Sequence, residues 1–294
     1  MTRPLYAYFG HHKCASTWIH SILETICADG GLSIAYLYAP RNFGDDLARH
    51  VAEKQIDFIS YVNADARFVE GLPAYRGFHV VRDPRDIVVS GYFSHKNSHP
   101  TDDFPELPAH RDKLKSCSKE EGLHAEIEFS FTRQVLGEMA AWDYHQAHVL
   151  ELRQEELTPD PYRGFLRILA HLDLLDETHI GMRQRPWLYA RLALNVLHWH
   201  HEKLVPFRSR IVPFPAERLL GIVHDHRFSN FAGGRKEGQS DEKSHYRKGV
   251  AGDWKNHFGP EHVAHFKQVY ADLAERLGYE TSADWGVVSP VGAR

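Results

Sequence analysis

Cysteine is scarce: three among 294 residues, at Cys14, Cys27 and Cys117. So few thiols build no disulfide framework and fit a reducing compartment. No apolar run approaches the roughly 18 residues of a membrane span, and no cleavable leader precedes the first apolar segment. A cytoplasmic protein with no membrane partner is therefore expected. A charge excess of one sign is also missing. The formal net charge is -4, with no global polybasic signal, so no nucleic-acid partner is expected. The 22 histidines are scattered. Their closest clusters, His11–His12 and His198, His200 and His201, lack Cys or carboxylate partners at metal-ligand spacing. They read mainly as surface or site-lining groups, and no metal is expected. No Gly/Ser/Pro-rich linker, internal repeat or low-complexity segment divides the chain, which predicts one domain over residues 1–294.

What is present is organised around residues 5–27. Leu5-Tyr6-Ala7-Tyr8-Phe9 is a short apolar run that suits a buried strand. Trp18, Ile19, Ile22, Leu23 and Ile26 recur at helical spacing, so a helix starts at about Thr17. Between them lies Gly10-His11-His12-Lys13-Cys14-Ala15. A strand, a tight loop and a helix N-terminus make an anion site, because the first amides of a helix have no intrahelical acceptors. Set against the phosphate-loop pattern G-x-x-x-x-G-K-[ST], Gly10 and Thr17 fit. Ala15 replaces the second glycine and Ser16 the lysine, while the loop's only lysine is Lys13. This suits a phosphate cradle adapted to a leaving group other than a triphosphate's. An ordinary turn with one exposed lysine is the alternative.

Further strands are expected at 32–39, 56–62, 77–81 and 148–153, and helices at 46–54 and from Pro161, capped by Asp160. Asn63 and Asp65 follow a strand's carboxyl end, where open α/β sheets bind ligands. The strand at 77–81 runs into Arg82-Asp83-Pro84-Arg85-Asp86 and then a helix carrying Ser90. Arg82 can meet a phosphate with two parallel hydrogen bonds, though the Arg–Asp cluster equally suits a structural network. Residues 95–118 read as a mobile polar loop, a lid over the acceptor site. Residues 123–142 read as one amphipathic helix and 187–204 as another. Arg247-Lys248-Gly249 reads as a basic turn able to wrap an anion. A last helix should start near Pro260 and stop at Gly278. Strands alternating with helices predict an α/β fold: a parallel β-sheet flanked by helices on both faces, with a P-loop-like nucleotide-binding core.

Three anion-binding elements suit a ligand with two separated anionic groups. The combination resembles the soluble sulfotransferases that use 3′-phosphoadenosine 5′-phosphosulfate (PAPS). Residues 12–18, HKCASTW, are similar to that family's P-K-[ST]-G-[ST]-[ST]-W. Arg82-Asp83-Pro84-Arg85-Asp86 with Ser90 matches its second motif. Residues 247–258, RKGVAGDWKNHF, match its R-K-G-x-x-G-D-W-K-N-x-F at every specified position. Residues 155–161 also look like its E-D-L-x-x-D-P segment. The resemblance implies that Lys13, Cys14, Ala15, Ser16 and Thr17 hold the 5′-phosphosulfate, with Trp18 against the adenine. Arg82, Ser90, Arg247, Lys248 and Gly249 would hold the 3′-phosphate. It implies PAPS as co-substrate, PAP as product, no metal, and sulfuryl transfer to a hydroxyl or amine of a small-molecule or biopolymer acceptor. Lys13 would stabilise the leaving oxygen.

Departures from the family pattern set further expectations. Ala15 serves in place of glycine only if its backbone avoids positive φ. Gln154 stands where the family often has an adenine-contacting Tyr. The strand at 58–65 lacks the histidine that many members use as base, so Asp65 is the first candidate for the catalytic base, with a helix cap or loop residue as its other reading and His11, His95 and His99 as alternative bases. A P-loop nucleotide kinase and a non-catalytic nucleotide-binding protein are the competing readings.

Overall fold

The computed structural model describes residues 5–101, 104–178, 181–244 and 247–286. Five strands, β1 (Leu5–Gly10), β2 (Ile34–Leu37), β3 (Phe58–Val62), β4 (Tyr75–Val81) and β5 (Val149–Arg153), form one sheet in the order β2-β3-β1-β4-β5. Every neighbouring pair is parallel. Two short strands, β6 (Leu175–Asp176) and β7 (Phe214–Pro215), pair separately. The helices before β5 are α1 (Ser16–Gly30), α2 (Leu47–Lys54), α3 (Ala66–Val69), α4 (Pro84–Asn97), α5 (Leu107–Ser116), α6 (Lys119–Ile127) and α7 (Ser130–Ala141). Those after it are α8 (Gln154–Leu157), α9 (Pro161–His171), α10 (Arg185–His200), α11 (Ala216–Asp225), α12 (Phe228–Phe231), α13 (Pro260–Tyr270) and α14 (Leu273–Arg276). This is the expected α/β fold, a parallel sheet flanked by helices.

The chain divides into two compact units. The first comprises Met1–Val81 with Trp142–Asn230, and the second Arg82–Ala141 with Phe231–Arg294. The first holds the sheet. Every residue of β1 is buried, which is why its sequence reads as an unbroken apolar run. Its side chains alternate: Ala7 and Phe9 join Ile59, Tyr61, Phe43, Leu47 and Trp142 in one apolar cluster, while Tyr8 stacks on Phe78. Helix α1 buries Trp18, Ile19, Ile22, Leu23 and Ile26, the expected periodic set. It ends at Gly31, whose φ of 66° puts it in the left-handed region. The amides of Gly31 and Leu32 there close onto the carbonyls of Ala28 and Cys27, the usual use of glycine at a helix end. Asp46 and Asp160 cap α2 and α9 by accepting from the amides of Arg49 and Arg163.

The second unit departs from the sequence reading in three places. The expected loop at 95–118 is largely helical. Helix α4 runs through His95 to Asn97, and α5 occupies Leu107–Ser116 with Leu107, His110 and Leu114 buried. Pro108 sits in the first turn of α5, where proline's missing N–H costs nothing. The long helix expected over 123–142 is two helices, α6 and α7, separated at Glu128–Phe129. Glu126, just before the break, is fully buried and takes the hydroxyl of Thr132 as a donor. The carboxyl-terminal helix is likewise split at Ala271, whose φ is 50°, although Gly278 does take the positive φ expected of a stop. His11, read as a surface or site-lining group, is buried, and so are His95 and His110 of the expected loop; His79 and His262 are buried as well.

Candidate active site

Strand β1 is the middle of the sheet and lies between β3 and β4, with Gly10 in register with Val62 and Val80. The chain leaves β1 toward β2 on one side and later returns to build β4 on the other, so β1 ends at the topological switch point. The phosphate-type loop begins there. His11 O accepts from Cys14 N at 3.1 Å, and Ile19 N donates back to Ala15 O at 3.0 Å. Lys13 and Ala15 both take positive φ, 65° and 58°. The condition set for Ala15 fails: it adopts the conformation that a glycine would hold without strain, at a cost of roughly 1 kcal/mol. No side chain caps α1, and its first turn carries no acid. The first turn of the helix thus offers its amide end to an anion without an acidic residue of its own there. Ser16 and Lys13 are half-buried and Thr17 is exposed, while Cys14 is fully buried.

Trp18, expected against an adenine, is 9% exposed. Its indole N–H donates to His226 O at 2.7 Å, and Phe165 meets its ring edge-on at 5.6 Å between centroids. Its visible contacts anchor α1 within the first unit.

Behind the loop runs a buried polar chain. His11 Nε2 lies 2.9 Å from His79 Nε2, and His79 Nδ1 lies 2.7 Å from Glu151 Oε2. Trp142 Nε1 donates to the other Glu151 oxygen at 2.9 Å. Burial pulls the His11 imidazole well below its usual range and lowers His79 to about 3. Burial raises Glu151 to about 7, against the donation from Trp142. His79 and Glu151 are thus joined by a hydrogen bond, with no imidazolium between them. With Glu151 ionised, the order is His79 Nδ1–H donating to the carboxylate and His79 Nε2 accepting from His11 Nε2–H; with Glu151 protonated, both bonds reverse. His11 Nδ1 is buried and has no hydrogen-bond partner among the described residues. The residue after Gly10 is in this way tied to β4 and β5.

Asp65, the expected base, is the N-cap of α3. Its carboxylate accepts from Arg67 N at 3.0 Å and meets the Arg67 guanidinium at 2.5 Å. The hydrogen bond to Arg67 holds its pKa down, with burial opposing. A carboxylate so held is a weak proton acceptor.

The other expected anion ligands belong to the second unit. Strand β4 runs directly into Arg82, which is nearly buried and lies 3.8 Å from the Asp86 carboxylate. Asp83 caps α4 by accepting from Arg85 N. Arg85, beside Arg82 in the motif, is structural. Its guanidinium pairs with Asp83 and Glu280 and lies 3.9 Å from the Trp254 ring centroid and 4.5 Å from that of Trp285. Ser90 is half-buried on α4.

The basic turn is built by two aspartates: Asp86, whose Arg–Asp cluster also suited a structural network in the sequence, and Asp253, to which the sequence reading gave no role. Asp253 pairs with Arg247 at 2.6 Å and Lys248 at 2.5 Å, and accepts from Asn256 at 2.9 Å. Burial alone would raise the Asp253 pKa, but these donors hold it well below the carboxylate range. Asp86 accepts from Gly252 N at 2.7 Å and Trp254 N at 2.8 Å. Gly249 and Gly252 take φ of 69° and 74°, which a side chain would resist. The spacing R-K-G-x-x-G-D-W therefore encodes a turn in which two cations are ordered by one carboxylate. Asp86 fastens that turn to the first turn of α4, four positions after Arg82. The structure brings Arg82 and the Arg247–Lys248 turn onto one connected network within the second unit. The loop at Lys13 and Asp65 lies in the first unit.

His95 and His99, the other expected bases, fare differently. His95 is fully buried and its Nδ1 donates to Glu126 Oε1 at 2.9 Å, while His110 Nε2 donates to Glu126 Oε2 at 2.8 Å. His99 lies near the surface beside the Phe104 ring. Ligand atoms of His95, His110 and Glu126 lie within 4.8 Å of one another. Each of those three side chains is already spent in the hydrogen bonds just described, together with Thr132. Such a network was invisible in the sequence, because its members are polar residues on four different helices.

Residues 211–280 match the family model described as the sulfotransferase domain, a span that includes the basic turn. The mouse sulfotransferase SULT7A1, solved in complex with PAP, superposes with a TM-score of 0.50 and 16% identity, covering 95% of this chain and 86% of that one. Retinol dehydratase, solved with androsterone and the inactive cofactor PAP, gives a TM-score of 0.42 and 16% identity, over 94% of this chain and 82% of that one. The fold and the loop at β1 define a P-loop-like parallel α/β protein. The match to the sulfotransferase-domain model is confined to residues 211–280, and the likeness to SULT7A1 is one of fold.

Proposed function

We propose that the protein transfers a sulfuryl group from PAPS to a hydroxyl or amine of an acceptor and releases PAP. The observation that carries this reading is the basic turn: Arg247 and Lys248 ordered by Asp253 inside the matched sulfotransferase segment. Arg82, Ser90, Arg247, Lys248 and Gly249 would hold the 3′-phosphate. The amides and hydroxyls of Cys14, Ala15, Ser16 and Thr17, with Lys13, would hold the 5′-phosphosulfate, and the chain as a whole would act as one catalytic domain.

In the transfer, the acceptor's lone pair attacks sulfur in line, and the bond from sulfur to the oxygen it shares with the 5′-phosphate breaks. Negative charge grows on that bridging oxygen. Lys13 and the uncapped end of α1 would stabilise it without a metal. The kinase alternative is disfavoured by the same residues: Ser16 stands where a triphosphatase needs lysine. Asp65, held by Arg67, is a weak base. This favours an acceptor that attacks sulfur before it loses its proton, and an amine meets that condition most simply.

The test is transfer of labelled sulfate from PAPS into a library of phenols, alcohols, amines and carbohydrates, and into a cell extract. Label in at least one acceptor, with PAP formed in equal amount, is expected. Tight PAP binding with no labelled product would favour the non-catalytic nucleotide-binding alternative.

A further inference from the structure

Helix α10 and the segment after it are unusual in what they leave in water. Of the ten exposed large hydrophobic side chains among the described residues, seven fall within residues 182–207: Met182, Trp187, Tyr189, Leu194, Leu197, Leu204 and Phe207. Trp187, Leu194 and Leu197 follow helical spacing and share one face. Trp187 is 71% exposed and Phe207 82%. Single exposed apolar residues need no explanation, but a concentrated group marks an interaction surface. The helix is anchored by its opposite side. Leu192 and Asn195 are buried, and the Asn195 amide donates to Asp29 O and Ser209 O at 2.7 Å each.

The same segment is cationic. Residues 182–210 hold six Lys/Arg and a single carboxylate, Glu202, in a chain of net charge -4. Three of the cations are engaged inside the first unit. Arg185 pairs with Glu217, Arg191 donates to Ser209 and to the Arg210 carbonyl, and Arg210 pairs with Asp57. Arg183, Lys203 and Arg208 are exposed and make no ion pair among the described residues. Arg208 also lines a cavity of about 270 Å³, which Glu202, His198 and Trp199 share.

We propose that this face docks on a membrane surface rich in anionic lipid headgroups. A segment that exposes Trp, Leu and Phe together with Arg and Lys has the composition of an interfacial amphipathic segment. Its apolar side chains enter the headgroup boundary while the cations meet phosphate. Binding is peripheral: no helix of the described residues is long and apolar enough to cross a membrane. A second copy of the chain fits the face less well, because a two-fold contact would set the same cations against each other.

The test is flotation of the full chain with vesicles of phosphatidylcholine alone and of phosphatidylcholine with about one-third phosphatidylserine. Each cation next to an anionic leaflet multiplies affinity about five-fold, and the gain fades within a Debye length. Partition onto the anionic vesicles should exceed that onto neutral ones at least about ten-fold, and should collapse as salt is raised. The triple variant Arg183→Glu, Lys203→Glu, Arg208→Glu should lose it, and so should Trp187→Ser with Leu194→Ser, with circular dichroism unchanged. If a variant misfolds, the salt and lipid dependence of the unmodified chain still decides. Equal partition onto both vesicles, or none, overturns the proposal. So does a concentration-dependent dimer, seen by sedimentation, that the serine variant dissolves.

Discussion

Lys13 and Arg247 carry the same charge, and their removal should have different consequences. Lys13 is assigned to charge that exists only as the sulfur–oxygen bond breaks. Lys13→Ala should therefore lower kcat about 10²-fold or more while PAP affinity falls far less. Equal losses in the two quantities would contradict that role. Arg247 is assigned to a phosphate present throughout, so Arg247→Ala should weaken nucleotide binding and leave kcat at saturating PAPS nearly intact. A large rate defect at saturation would count against it. At Glu126 the prediction concerns pH. Burial raises its pKa, but the charges and hydrogen bonds of His95 and His110 outweigh burial and bring it to about 2. A carboxylate lowered in the folded state contributes stability above its unfolded pKa, and that contribution is lost as pH falls toward the folded value. Thermal stability should thus decline between about pH 4.5 and 2. Glu126→Gln, if it folds, should show a flatter acid limb over that window. An unchanged slope would show that this carboxyl does not carry it.

The loop between β1 and α1 was legible because two physical signals flank it. A strand buried on both faces writes an unbroken apolar run, and a helix packed on one side writes a 3.6-residue period. Its backbone was not legible. Ala15 sits at φ 58° with no side-chain cap, which no residue pattern announces when glycine is absent. Ala15→Gly should relieve that strain and raise stability by roughly 0.5–1 kcal/mol, less the extra freedom of glycine in the unfolded chain. A melting point that falls would argue that the alanine methyl is used in packing. The second unit was harder to read. Leu107, His110 and Leu114 do follow helical spacing, but the lysines and arginines among them resemble a loop until the buried histidine is known. Glu126 and His95 are 31 positions apart, and His11 and His79 are 68 apart. A polar residue buried against a distant polar partner has no local signature. The basic turn was recognised from its cations and glycines, while Asp253 stood in the same motif unassigned and Asp86 was legible only as part of an Arg–Asp cluster.

Across the whole molecule, the parallel sheet and the position of the phosphate-type loop at the end of its middle strand follow from the alternation of buried strands and amphipathic helices. The partition of the expected ligands between two units does not, since nothing in local composition marks Val81 and Trp142 as a boundary. The account rests on a nucleotide with a 5′ anion and a 3′-phosphate, gripped without metal by residues far apart in sequence. The most direct measurement is thermal unfolding with PAP in the presence of a chelator, beside ATP with magnesium. At about 100 times its Kd, PAP should stabilise by about 2.7 kcal/mol, a rise of several degrees, and Arg247→Ala should shift that response to higher PAP concentration. Stabilisation by ATP with magnesium and none by PAP would contradict the account.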